Sequence, residues 1–162
     1  MSTLKVNAIK NLANQEPFGL TLMTQVTASG TAVDFTSIPS WAKRITVMFD
    51  GVSLSGTSQI IIQLGDSGGI ETSGYVGGTA TSASTTGYQV FLNLATRNAT
   101  GIYTIINSNG NLWVGSGTTW NTTEVSNSAG SKILSATLDR IRITTVNGTD
   151  TFDAGTINIM YE

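Results

Sequence analysis

The amino-acid sequence predicts an all-β protein, an antiparallel β-sandwich of jelly-roll type with a short N-terminal arm. Three observations carry that expectation. Apolar side chains recur at every second position in one segment after another. Asn-Gly pairs and Gly-rich stretches separate those segments where the chain has to turn. No window of a dozen residues shows the apolar stripe of an amphipathic helix.

Taken in order, residues 44–49 place Ile45, Val47 and Phe49 on one face and Arg44, Thr46 and Met48 on the other. Residues 59–64 repeat the pattern with Ile60, Ile62 and Leu64. Val90, Leu92 and Leu94 alternate with Phe91 and Asn93, and Ile102, Thr104 and Ile106 with Tyr103 and Ile105. Near the end, Ile141 and Ile143 alternate with Arg140 and Arg142, and Ile157, Ile159 and Tyr161 with Asn158 and Met160. Strand side chains point to opposite faces in turn, so each run reads as a half-buried strand, and the β-branched content agrees. One turn of helix is expected over 39–43, with Pro39 in the first-turn position where its missing N–H does no harm.

Asn109-Gly110 predicts a hairpin with positive φ at its turn, and Asn147-Gly148 a second one between Ile143 and Phe152. The Gly-rich stretches 65–69, 74–78 and 115–117 read as loops. Roughly eight to ten short strands with turn-rich connections argue for a sandwich or barrel, and their uneven spacing favours the jelly roll.

A chain of 162 residues is one domain's worth. Residues 20–162 read as that domain. Residues 1–19 read as an arm or edge strand, because Leu4, Val6 and Ala8 alternate briefly before a polar stretch holding one of the two prolines. Leu4, Val6, Ile9 and Phe18 are the apolar residues with which this arm would dock in assembly.

Composition narrows function mostly by exclusion. There is no cysteine, hence no disulfide or thiolate site, and no histidine, the commonest general base and metal ligand. A net charge of −2 gives no footprint for nucleic acid or for an anionic membrane. No run of about 18 apolar residues is present to span a bilayer. The first residues lack the pattern of a signal peptide, so export by the general pathway is not expected. Only 11% of residues are charged, against roughly 25% in an ordinary domain. Ser, Thr, Asn and Gly must then supply solubility, and surfaces of that kind lose little side-chain entropy and little charge solvation when packed against a neighbour.

Gly65-Asp66-Ser67-Gly68-Gly69 looks like the nucleophile loop of chymotrypsin-type proteases. That serine needs a histidine to take its proton, the chain has none, and the spacing of Lys43 and Lys132 offers no Ser-Lys substitute. The string reads as a turn, and no catalytic residue is assigned. Asp150 and Asp153 could supply oxygens to calcium, but their spacing is not that of an EF-hand and Asp is common in turns. Neither a metal nor a cofactor is expected. The ten scattered acids offer no pair for glycoside cleavage.

Trp41 and Trp113 are expected in the core. Trp120 lies in the Gly/Thr/Asn-rich stretch 115–127 and is expected to be exposed, where it would stack on a sugar or on another subunit. Tyr75 and Tyr88 punctuate a second polar stretch and are the other candidate contacts. Asn98, Asn121 and Asn147 begin Asn-x-Thr triplets that arise easily in so Asn- and Thr-rich a chain. Arg140 and Arg142 mark a solvated or edge face, or else one that pairs with acids of a neighbour.

The opening Ser2-Thr3-Leu4-Lys5-Val6-Asn7-Ala8-Ile9 resembles the start of small virion proteins of marine and cyanobacterial tailed phages. The stretch from Val26-Thr27-Ala28-Ser29-Gly30 to Ile38-Pro39 is similar to the first strands of their β-sandwich module. Ile45-Thr46-Val47-Met48-Phe49-Asp50-Gly51-Val52, Gln63-Leu64-Gly65 and Gly74-Tyr75 continue the likeness, which is clearest from residue 2 to about 90. The resemblance implies a structural protein of the virion, made in the host cytoplasm. It implies a homotrimer that touches major capsid or tail proteins. A capsid decoration (cement or head-fibre) protein fits the chain best, since it carries no long shaft. The alternative is a tail-fibre or receptor-binding module that adheres to host glycans.

Overall fold

A computed structural model describes residues 19–91 and 94–162, and among them the protein is all-β without a helix. Fourteen strands follow one another: β1 (Thr21–Leu22), β2 (Val26–Thr27), β3 (Ala32–Phe35), β4 (Arg44–Leu54), β5 (Ile60–Asp66), β6 (Gly69–Ile70) and β7 (Tyr75–Thr79), then β8 (Ala83–Ser84), β9 (Tyr88–Phe91), β10 (Asn98–Asn109), β11 (Leu112–Trp120), β12 (Val125–Ile133), β13 (Arg140–Thr145) and β14 (Phe152–Tyr161). They form two antiparallel sheets packed face to face. The larger runs β1-β14-β4-β10-β11-β12-β7-β8, with β2 also on β14; the smaller runs β3-β13-β5-β6, with β9 also on β5.

The core lies between the sheets. Ile45, Val47 and Phe49 of β4, Tyr103 and Ile105 of β10, and Ile157 and Ile159 of β14 meet Ile60, Ile62 and Leu64 of β5 and Ile141 and Ile143 of β13, all 3% exposed or less. These are the alternating positions of the sequence. Strand β5 is nevertheless buried on both faces rather than half-buried, because residues 85–87 cross its outer side. There the side-chain amide of Gln63 donates to the Thr86 carbonyl at 2.8 Å.

Strand β4 stays amphipathic over eleven residues only because it carries a bulge. Gly51 has φ +62°, and the pairing with β10 skips from Phe49 to Val52. The extra residue resets the alternation, so Val52 and Leu54 return to the core at 0% exposure. Gly155 of β14, at φ +88°, passes so close that a β-carbon there would lie 2.5 Å from the Gly51 carbonyl carbon.

Several expected turns and loops differ. Residues 39–43 form a β-turn closed by Ala42 N–H to the Pro39 carbonyl at 2.9 Å, with no helical continuation. The hairpin at residues 109–111 is present, with Gly110 at φ +53°. Asn147-Gly148 does turn the chain, but it carries it from β13 in one sheet to β14 in the other and makes no hairpin. The Gly-rich stretches 74–78 and 115–117 are mostly strand, in β7 and β11. Gly115 and Gly117 leave room for the buried Tyr103 ring, since β-carbons there would approach it to 2.7 and 2.4 Å.

Candidate assembly face

Leu4, Val6, Ile9 and Phe18, the proposed docking residues of the arm, lie outside the described residues, as does Leu92. The protease-like string is a tight hairpin in which Ser67-Gly68 joins β5 to β6. Its Asp66 is 3% exposed and accepts from the Gly68 N–H and the Ser135 hydroxyl, each at 2.8 Å. The Ser135 hydroxyl and then the Gly68 N–H hold that carboxyl below its ordinary range, against the opposite pull of burial. Asp66 therefore anchors the hairpin to the segment after β12.

Tyr75 and Tyr88 are core residues, each 2% exposed, and this corrects the expectation that they offer an accessible contact. Both begin strands whose first side chain points inward. The Tyr75 hydroxyl accepts from Leu64 N–H at 2.6 Å and donates to the Glu71 carbonyl at 3.0 Å. The Tyr88 hydroxyl donates to the Trp113 carbonyl at 2.8 Å. Tyr75 meets Tyr88 edge-on at 5.3 Å, and Tyr88 meets Tyr103 at 5.6 Å. Burial drives all three phenols well above their ordinary pKa.

Beside this stack lies an ion pair that nothing in the sequence singles out. The Lys132 ammonium is 2.5 Å from Glu71 and 5.4 Å from the centre of the Tyr75 ring, with the side chain only 6% exposed. Glu71 also accepts from Ser135 N–H at 2.7 Å. Burial pushes the Glu71 carboxyl up, but Lys132 and Ser135 together outweigh it and hold the group below its ordinary value. The pair joins β12 to the β6–β7 connection.

Arg140 and Arg142 are matched within the chain: Arg140 by Asp139 at 2.6 Å, and Arg142 by both oxygens of Asp34 at 2.7 and 2.8 Å. Arg97 meets Glu124 at 2.6 Å and Arg44 meets Glu162. Asp150 accepts from Asn147 and from Ser58 N–H, each at 2.8 Å, which lowers its pKa, whereas Asp153 is bound by the Ser53 hydroxyl. Among the described residues no three acids gather as a metal site would require. Asn121, the middle Asn-x-Thr position, is 1% exposed.

Trp113 is buried at 3%, Trp41 is half-buried against Tyr161, and Trp120 is 49% exposed at the end of β11. Trp120 belongs to a broader surface. Inner residues of β11 and β12 bind β9: Thr119 donates to the Val90 carbonyl at 3.0 Å and Ser128 to that of Gln89. The opposite faces of β10, β11, β12 and β7 point away from the core. Cross-strand register orders that face into rows. Ile106 opposes Val114, which opposes Ser131, which opposes Val76. The next row is Thr104, Ser116, Ala129 and Gly78; then come Ile102, Thr118 and Asn127; and Trp120 opposes Val125. Thr118 donates to Asn127 at 2.7 Å. Ile102, Ile106, Val114, Trp120, Val125 and Val76 are each at least 46% exposed.

None of these row residues is charged. A shallow depression of about 400 Å³ lies over Ile102, Thr104, Ser116, Thr118 and Asn127. With apolar side chains flanking a hydroxyl-lined floor and no titratable group among the row residues, the face has the chemistry of a contact surface.

No family model, curated protein or solved structure matches the chain.

Proposed function

We propose that the chain is a non-enzymatic structural protein of a tailed-phage particle, present in several copies and decorating the capsid through subunit contacts. The observation that carries this reading is the uncharged outer face of β10, β11, β12 and β7. It agrees with a chain whose arginines and Lys132 are all matched by its own acids. Such a subunit spends its charges on itself and offers neighbours a surface that is inexpensive to desolvate. The lack of histidine and cysteine favours a role without chemistry.

The strand order supports a jelly roll as the finer description of the sandwich. β2-β14-β4-β10 faces β3-β13-β5-β9, with the chain crossing between sheets at nearly every step, and β11, β12, β7 and β8 extend one sheet. The trimer, the capsid or tail partners and the virion location rest on the family resemblance. A glycan-binding fibre module is the second reading; Trp120 supports it, whereas Tyr75 and Tyr88 no longer do.

Quantitative mass spectrometry of purified particles of the phage that encodes this chain is expected to find it in many copies per particle. Its absence from the particles would remove the reading. So would hydrolysis of a polysaccharide by the pure protein that a carboxylate variant abolishes.

A further inference from the structure

We infer that a second copy of this chain seats on the outer face of β10, β11, β12 and β7, the apolar ridge of one copy lying in the hydroxyl-lined valley of the other. The inference rests on the structural reading above and names the partner of that face.

The relief of the face is the first support. Ile106 and Val114 form a ridge that Ser131 interrupts and Val76 resumes, and Thr104, Ser116 and Ala129 form a valley of short side chains one row away. Rows on one face of a strand are two residues, or about 6.8 Å, apart. A shift of one row between two such faces therefore brings ridge over valley, and the same surface supplies both halves of the fit.

Charge is the second support. A surface packing on its own copy sets like groups near like groups, which is penalised wherever they carry charge. These residues carry none. The cations nearest the margin, Arg44 and Arg97, are already held by Glu162 and Glu124.

Area is the third. Strands β10, β11 and β12, about 4.8 Å apart, run together for about 30 Å, and the five-residue β7 adds about 17 Å, which gives a face of roughly 500 Å². Two copies would then cover on the order of 1,000 Å² in all, the size at which a specific interface begins.

Light scattering after size exclusion is expected to show a multimer for the wild-type chain. Val114→Lys is expected to reduce it to a monomer that still unfolds in one cooperative transition, because Val114 is exposed in the subunit. The chain has no cysteine, so single thiols can be placed at will. Oxidising a mixture of Val114→Cys and Ala129→Cys is expected to link the two variants to each other, a readout that holds even if Val114→Lys folds poorly. A monomeric wild type, a multimer indifferent to Val114→Lys, or an oxidised mixture without the mixed pair would each overturn the contact. Val114→Lys particles that still carry the protein would leave the virion reading standing, because that reading fails only when the wild-type chain is missing from particles.

Discussion

Replacing Lys132 by alanine is expected to destabilise the protein by about 3 kcal/mol and to lower its melting midpoint by about 6–12 °C, read by calorimetry. The substitution leaves the Glu71 carboxylate beside the Tyr75 ring without its cation. Removing one partner of a buried pair costs more than the pair contributes, because the remaining charge stays desolvated. Glu71 keeps 22% of its side chain in contact with solvent, which holds the expected loss at the lower end of that range.

Combining Lys132→Met with Glu71→Gln removes both charges, retains the acceptor for Ser135 N–H, and is expected to restore stability to within about 1 kcal/mol of wild type. The effect of Lys132→Ala also depends on pH. Glu71 has a folded pKa below its ordinary 4.5, so its contribution is present above that value and lost as pH falls through the depressed one. Asp66, held below its ordinary 3.8, adds a loss of the same sign in acid. The gap between wild type and Lys132→Ala should therefore be full at neutral pH and close in acid, as pH falls below the ordinary 4.5 and through the depressed value of Glu71. A gap that persists in acid would assign the loss to packing of the lysine stem on Tyr75.

Tyr103→Ala is expected to cost about 3–5 kcal/mol, close to the loss on truncating a buried aromatic residue, and to lower the midpoint by about 10 °C. The ring fills the space left by Gly115 and Gly117 and touches Tyr88, so its removal opens a cavity that rigid strands on either side cannot close. Tyr103→Phe is expected to be neutral or slightly stabilising. Among the described residues the buried phenol oxygen makes no hydrogen bond of normal geometry; its polar neighbour is the Ser128 hydroxyl, which already donates to the Gln89 carbonyl, and deleting so poorly satisfied an atom removes its desolvation penalty. Chemical denaturation of the two variants checks both; a marked loss in Tyr103→Phe would show that the hydroxyl has a partner in solution.

What the sequence conveyed depended on whether a signal was local. Ile45, Val47 and Phe49 were legible because their polar neighbours on β4 mark the outer face. In β10 both faces are apolar, so alternation alone did not decide that Tyr103 and Ile105 point inward and Ile102 and Ile106 outward. That undecided parity concealed the apolar outer face proposed to seat a second copy. Gly115 and Gly117 read as a loop because a strand glycine carries no pattern, and its purpose is a ring on the neighbouring strand. Tyr75 and Tyr88 were misplaced for a related reason, since glycines and hydroxyls around them imitate a surface loop. The Lys132–Glu71 pair joins residues far apart in the chain, and spacing carries no trace of it. Of the three candidate site residues among those described, Trp120 is exposed as expected, though on a strand and not in a loop, and Tyr75 and Tyr88 are buried.

Within the run β10-β11-β12 each strand pairs with the one that follows it in sequence, whereas β4 and β7, which flank the run, come from distant parts of the chain. Most other pairings close long stretches of chain, and such closures are slow because their entropy must be lost before contacts form. The meander is thus the natural nucleus of folding, with the winding of both sheets around it coming later. Pulse-labelled amide exchange should find Ile102–Ile106 and Val114–Thr118 protected before β14, whereas simultaneous protection would contradict this order. The nucleus carries the uncharged face, so the surface proposed to seat a second copy would already be formed while the core is still open. If that face does seat a second copy, subunit concentration during synthesis would bear on yield as well as on assembly, because the earliest ordered species would already present it.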